Sequence, residues 1–235
     1  MRLDKLLSHA GYGSRRDVKM LIKKSIVTVN DERIKKVNIN VDPDKDIITV
    51  NGQTVIHEEY VYFMLNKPNG YLSATEDRVD PVVVDLIEGY EHYDLFPVGR
   101  LDKDTEGLLI ITNDGLINHK LTSPNYEVPK TYFAEIAGVV TEKDVEQFNE
   151  GIVLDDGYLT KPGKLKIINS NDISEIELTI TEGKFHQVKR MFKSIGKEVI
   201  YLKRIKMGEV RLDETLELSE FRKLNEHEMS YLNTL

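Results

Sequence analysis

The first apolar residues of the chain, Leu3, Leu6, Leu7 and Ala10, recur at i, i+3, i+4 and i+7, which predicts one face of a short helix. Gly11 and Gly13 break that period. Ser14, with Asp17 three residues on, has the form of an N-terminal capping box, and Val18, Leu21 and Ile22 give a second helix its inward face. Arg15, Lys19 and Lys23 fall at i, i+4 and i+8 on another face, where like charges repel unless an anion faces them. The period then becomes that of strands. Residues 26–29 run into a turn at Asn30-Asp31, and residues 47–50, Asn51-Gly52 and residues 54–56 spell a hairpin. These elements predict a small helix-helix-strand domain over residues 1–58.

Residues 59–235 read as a larger body. The apolar run 61–65 predicts a buried strand, ended by the turn residues 66–70. Asp80-Pro81 can open a helix through Ile87, with proline in its first position. A strand at 108–112 is closed by Asn113-Asp114-Gly115, and another covers 132–136. Thr141 with Asp144 caps a helix that stops at Gly151. Strands at 165–168 and 173–181 flank a polar turn. A helix over 185–195 ends at Gly196, and 199–202 returns as a strand. Strands outnumber helices and do not alternate with them regularly. The expected class is therefore α+β, with a largely antiparallel mixed sheet flanked by helices.

Composition sharpens this picture. The chain has 235 residues, 40% apolar and 31% charged, which suits a soluble folded protein of one or two domains. No apolar stretch reaches the roughly 18 residues of a membrane span, and the N-terminus lacks a signal-peptide core, so a cytoplasmic location is expected. Cysteine is absent, which excludes disulfides, thiolate nucleophiles and cysteine-ligated metal sites. Net charge is −8, which by itself disfavours nucleic acid. Its distribution argues otherwise. Residues 1–36 hold ten Lys/Arg against four Asp/Glu, a balance of +6 that leaves −14 on the remainder. A phosphate backbone responds to such a local patch.

Three segments can carry chemistry. Gly99-Arg100-Leu101-Asp102-Lys103-Asp104-Thr105-Glu106-Gly107 places three carboxylates within five residues, between two apolar stretches. As residues alone, it fits acid/base or nucleophilic work, and equally a polar connection with solvated charges. Residues 182–192 put Lys184, His186, Lys189 and Arg190 around a helix whose apolar face is Val188, Met191 and Phe192. A helix start beside Lys184 can receive a phosphate. Pro129-Lys130-Thr131-Tyr132 enters a strand, where a tyrosine can stack on a base or simply pack. The six histidines are scattered, with no metal-ligand spacing, and no Walker loop, dinucleotide fingerprint or nucleophile elbow is present.

Together these segments resemble a known family. Gly99-Arg100-Leu101-Asp102, with Asp104-Thr105 and Gly107-Leu108, resembles the catalytic motif of the pseudouridine synthases. Leu65-Asn66-Lys67-Pro68 with Gly70, Lys130-Thr131-Tyr132, and residues 183–192 resemble that superfamily's first, tyrosine and basic third motifs. Arg2-Leu3-Asp4-Lys5, Gly13-Ser14-Arg15-Arg16 and Val27-Thr28-Val29-Asn30 resemble the RNA-binding domain of ribosomal small-subunit protein four. That head before that body is the order of the small-subunit rRNA pseudouridine synthase A family. Residues 62–68 and Leu159-Thr160-Lys161-Pro162 are closer to its small-subunit branch than to its large-subunit relatives.

The resemblance implies site-specific conversion of a uridine to pseudouridine in ribosomal RNA of the small subunit, by a monomer, without cofactor or metal. It implies Asp102 as the catalytic carboxylate, Tyr132 as the aromatic facing the base, and Lys189 as the cation paired with Asp102, where relatives often carry Arg; Arg190 is the fallback. Arg100, Lys67, Lys130, Lys184, His186, Gln187 and Arg190 are assigned to substrate binding, and Arg2, Lys5, Arg15, Arg16, Lys19 and Lys23 to RNA binding by the head. The partner is ribosomal RNA, free or within a small-subunit assembly intermediate, and no membrane. The carboxylate can attack the anomeric carbon or take a proton from the neighbouring sugar carbon. Two other readings compete: a non-catalytic ribosome-assembly factor, and a hydrolase using two of Asp102, Asp104 and Glu106.

Overall fold

The structure is a computed structural model that describes residues 1–24 and 26–235. It divides into two compact units, Met1–Val61 with Glu88–Asp94, and Tyr62–Ile87 with Leu95–Leu235. The short segment 88–94, which lies within the body in sequence, thus groups with the first unit.

The first unit comprises α1 (Leu3–His9), α2 (Arg15–Lys23), β1 (Val27–Val29), β2 (Glu32–Arg33), β3 (Ile48–Val50) and β4 (Gln53–Thr54). The capping box forms as the spacing predicts: Ser14 Oγ accepts from Asp17 N, and Asp17 Oδ2 accepts from Ser14 N. The strands pair antiparallel in the order β2-β1-β3-β4. Asn51 and Gly52 both take positive φ, at 54° and 79°, as a tight hairpin turn requires. Leu3, Leu6, Leu7, Val18 and Ile22 close one core with Val27, Ile48 and Val50. Arg15, Arg16, Lys19 and Lys23 are left exposed.

The second unit comprises β5 (Tyr62–Lys67), a 3₁₀ turn (Val83–Leu86), β6 (Phe96–Pro97), β7 (Glu106–Thr112), α3 (Gly115–Thr122), β8 (Lys130–Ala137), α4 (Glu142–Glu150), β9 (Lys164–Asn169), β10 (Ile173–Ile180), α5 (Gln187–Ser194), β11 (Glu198–Met207), β12 (Val210–Arg211), β13 (Phe221–Lys223) and α6 (Glu226–Thr234). One mixed sheet runs β13-β5-β7-β11-β8-β10-β9, with β6 on β7 and β12 on β11. Among the described residues, every pairing in it is antiparallel except β7 with β11, which is parallel and short, at Glu106↔Lys203 and Gly107↔Arg204. The fold is α+β. Met64, Leu108 and Ile110 of the central strands pack on Ile117 and Leu121 of α3 and Leu232 of α6.

Several elements depart from the hydropathy reading. Residues 80–87 make only a 3₁₀ turn, because Leu72 bridges Val82, and its carbonyl accepts from Val83 N, which holds the chain extended where a helix would begin. β5 continues through Asn66 and Lys67, since both are buried and bonded inside the unit. The strand at 108–112 ends at Thr112 as expected, but Asp114 also caps α3, a helix with no counterpart in the sequence reading, accepting from Leu116 N and Ile117 N. α5 starts at Gln187, because His186 is held left-handed at φ 47°. β12, β13 and α6 have no counterpart in the sequence reading. No helix among the described residues is long and apolar enough to cross a membrane.

Candidate active site

The loop between β6 and β7 carries Asp102, and several neighbours fix its course. Ser73 Oγ both donates to Leu101 O and accepts from Leu101 N, at 2.9 and 3.0 Å. Lys67 Nζ donates to three backbone carbonyls, those of Pro68, Lys103 and Thr105, at 3.0, 3.2 and 2.8 Å. Where the loop enters β7, Gly107 takes φ 98°, and a Cβ there would sit 2.3 Å from Arg204 O. Only glycine lets the two strands approach this closely with that φ. Arg204 is itself buried (2% exposed), and its Nε donates to Leu108 O at 2.8 Å, tying β11 to β7 just past the loop.

α5 faces this loop. Val188, Met191 and Phe192 are buried, so the helix has one fixed rotation, and Lys189 emerges toward the acids. Its Nζ lies 3.3 Å from Asp102 Oδ2 and 2.5 Å from Asp104 Oδ1. His186 Nε2 is 3.5 Å from Asp102 Oδ1. Asp102 remains 26% exposed, open enough to meet a ligand. Burial pushes the Asp104 carboxyl up, but the hydrogen bond and charge of Lys189 outweigh it and hold Asp104 below its ordinary value. Arg190 points elsewhere: its guanidinium pairs with Asp155 and Asp156, the latter at 2.7 Å. About 100° of helix rotation separates adjacent residues, and it is Lys189 that meets the loop.

Tyr132 stands on β8, opposite Leu178 of β10 and Arg204 of β11. It is 8% exposed, and its ring walls a narrow cleft shared with Arg100, Asp102, Lys184, His186 and Leu202. The sheet and α5 thus bring Asp102, Tyr132 and Lys189 to one place from three distant stretches of sequence. Arg100, Lys184 and His186 border the same cleft.

Other residues assigned to substrate binding have their polar groups engaged within the protein. Lys67 is 0% exposed and turns its ammonium into the loop carbonyls, so it braces the loop and does not face a ligand. Burial lowers it to about 8, against the partial support of Asp104, Glu106 and Asp102. Lys130 is also buried and donates to Val128 O; burial, then the nearby Arg204 charge, lower it to about 8. Gln187 borders the cleft, but its amide is engaged, donating to Glu182 Oε1 at 2.7 Å and accepting from Lys184 N at 2.8 Å. Arg190 is tied to the acidic turn. In the first unit, Arg2 braces the buried Asp4 at 2.8–2.9 Å, while Lys5 stays exposed.

The buried Glu182 holds the loop before α5, a role that spacing did not indicate. It accepts from Tyr158 OH, Lys161 N and Gln187 Nε2, fastening the 183–186 loop to the 154–161 turn. Lys184 Nζ lies 4.5 Å from the centre of the Tyr158 ring. An acidic pair before a glycine, Asp155-Asp156-Gly157, is a sequence signal for this turn. Among the described residues, no three His, Asp or Glu side chains gather as a metal site.

The chain as a whole is similar to known proteins. The family model for RNA pseudouridylate synthase matches residues 61–194, and that for the S4 domain matches residues 1–48. An uncharacterized RNA pseudouridine synthase of Bacillus subtilis is 48% identical, over 99% of this chain and 98% of that protein. Ribosomal large subunit pseudouridine synthase B of Bacillus subtilis is 41% identical, over 100% and 96%. Ribosomal small subunit pseudouridine synthase A of Vibrio cholerae is 39% identical, over 98% of each. A crystal structure of a pseudouridylate synthase aligns with a TM-score of 0.70 at 37% identity, covering 99% of both chains. A match over more than half the chain, with relatives aligned end to end, establishes that this protein is an isomerase of the RNA pseudouridine synthase family, with an S4 domain at its N-terminus.

Proposed function

We propose that this protein converts one uridine of small-subunit ribosomal RNA to pseudouridine, with Asp102 acting at the sugar, Tyr132 holding the base and Lys189 supporting the carboxylate. The observation that carries the reading is the contact of Lys189 Nζ with Asp102, 3.3 Å, where Asp102 borders the cleft walled by Tyr132.

The reaction breaks the bond from C1′ to N1, turns the base, and forms a bond from C1′ to C5. The C5 proton is lost and N1 gains one, so atoms and electrons balance without a redox partner. Attack at C1′ and removal of the neighbouring sugar proton both need an ionised carboxylate. In a site sheltered from water a carboxylate tends to stay protonated, and an adjacent cation opposes that. The base must leave its stack to be reached, and an aromatic wall can hold it once it has. Lys67, the Ser73 bridge and the Arg204–Leu108 bond fix the loop, so that the carboxylate is in position before the substrate arrives.

In this reading residues 1–58 form the RNA-binding domain and residues 59–235 the synthase domain of a cytoplasmic monomer, which acts on RNA free or in an assembly particle. The exposed Arg15, Arg16, Lys19 and Lys23 supply phosphate contacts that fix register without reading sequence. The large-subunit synthase among the relatives, at least as similar as the small-subunit one, favours the alternative of a large-subunit target. Mapping pseudouridines in both rRNAs, from cells with and without this chain, decides. Loss of a single small-subunit pseudouridine is the expected result. Loss from the large subunit transfers the target, and an unchanged map rejects rRNA as substrate.

A further inference from the structure

We propose that Phe185, backed by His186, is a stacking platform for an unpaired RNA base adjacent to the uridine being modified. This rests on the synthase reading above and adds a recognition residue to it. Phe185 is 75% exposed, although its ring is among the largest apolar groups of the chain. Single exposed apolar residues are common and need no explanation. This one differs in three ways.

First, its ring lies on that of His186, with centroids 3.7 Å apart and planes 20° from parallel, so one flat face is covered and the other is open. Second, His186 reaches Asp102 at 3.5 Å and borders the Tyr132 cleft, while Phe185 and His186 also border a wider open cavity of about 680 Å³. That volume lies in the range of small-ligand sites, and a nucleotide fits it. His186 is thus a wall common to both spaces, and a base in the second would be the chain neighbour of a base in the first. Third, cations border both spaces: Lys189 and Lys193 line the wider cavity, and the exposed Lys184 borders the Tyr132 cleft. A flat aromatic face among cations suits a base with its phosphates, because every base has a face to stack and the backbone is anionic.

The platform is also held in place. His186 adopts the left-handed conformation at φ 47°, and the Glu182–Gln187–Lys184 hydrogen bonds fix the loop on both sides of it. Asp155 and Asp156 also line the wider cavity and occupy Arg190, so the phosphates fall to Lys184 and Lys193.

The chain contains no tryptophan, so Phe185→Trp installs a single fluorescent reporter at the platform. The probes are decauridylate and a ribose-phosphate decamer without bases. Decauridylate should quench the reporter, and the abasic decamer should not. Phe185→Ala should weaken decauridylate binding about tenfold. The slope of log affinity against log salt should stay unchanged, because every phosphate partner is still in place. Phe185→Tyr should bind as the wild type does, and Phe185→Leu should resemble the alanine variant. An unquenched reporter, equal quenching by the abasic decamer, full binding by Phe185→Leu, or no binding of decauridylate by the wild type would each overturn the proposal. Quenching by an unrelated protein but not by RNA would turn the surface into a protein contact. Failure of the synthase reading appears separately, as absence of tritium release from uridine C5 by the wild-type chain.

Discussion

Lys189 touches both carboxylates of the loop, and Arg190 touches neither. Adjacent in sequence and alike in charge, they part because α5 buries Val188, Met191 and Phe192 and so fixes the direction of each neighbour. Lys189→Met removes the cation that contacts both carboxylates. Activity should fall by at least about tenfold. Lys189→Arg and Arg190→Met should each retain most of it. A loss of that size in Arg190→Met alone would exchange the two roles. Lys67 makes a second residue-level prediction. Lysine ordinarily titrates near 10.5, and burial brings Lys67 to about 8. Below pH 8 both folded and unfolded chains hold the proton, and the fold carries the cost of the buried charge. Between 8 and 10.5 the unfolded chain binds more protons, so this site's contribution to stability rises with pH. The stability of the wild type minus that of Lys67→Met, from urea unfolding, should therefore grow between pH 7.5 and 10. A flat difference contradicts this.

At the scale of elements, the site depends on the parallel junction of β7 with β11 in an otherwise antiparallel run of strands. Gly107→Ala would place a methyl group 2.3 Å from Arg204 O at a φ that side chains avoid. We expect a cost of at least about 2 kcal/mol, with melting lowered by roughly 4–8 °C. Activity should fall with it, as the loop shifts from Lys189. A melting temperature within a degree of wild type would show that the strands separate at little cost. Local signals carried much of this fold in the sequence. The Ser14 and Thr141 capping boxes, the Asn51-Gly52 turn and the strand periods all act within a few residues, and each formed. What was not legible depends on distant partners. Asp80-Pro81 reads as a helix start until Leu72 pairs with Val82. Lys67 and Lys130 read as cations for a substrate until the sheet buries them against backbone carbonyls. Glu182 and Phe185 lie in a segment that the sequence singles out, but nothing local sets them apart within it. One matters through Tyr158, Lys161 and Gln187, and the other through an open cavity that only the folded chain forms.

At the scale of the whole molecule, charge and chemistry are divided. The +6 of residues 1–36 belongs to the S4 unit, while the carboxylates and their cation belong to the synthase unit. Arg15→Ala, Arg16→Ala and Lys19→Ala together should weaken RNA binding and reduce its salt slope by about 0.7–0.9 for each phosphate that is no longer neutralised. Turnover at saturating RNA should change little, and an unchanged slope would make these residues merely solvated. The central claim is that Asp102 performs the isomerisation, and tritium release from rRNA labelled at uridine C5 tests it most directly. The wild-type chain should release tritium, and Asp102→Asn should release it slower by several orders of magnitude while melting and binding RNA normally, a loss of the scale expected for a catalytic group that acts on the reacting atoms. Asp104→Asn should retain most of the rate. Near-normal release by Asp102→Asn, or a larger loss in Asp104→Asn, would place the chemistry on another residue.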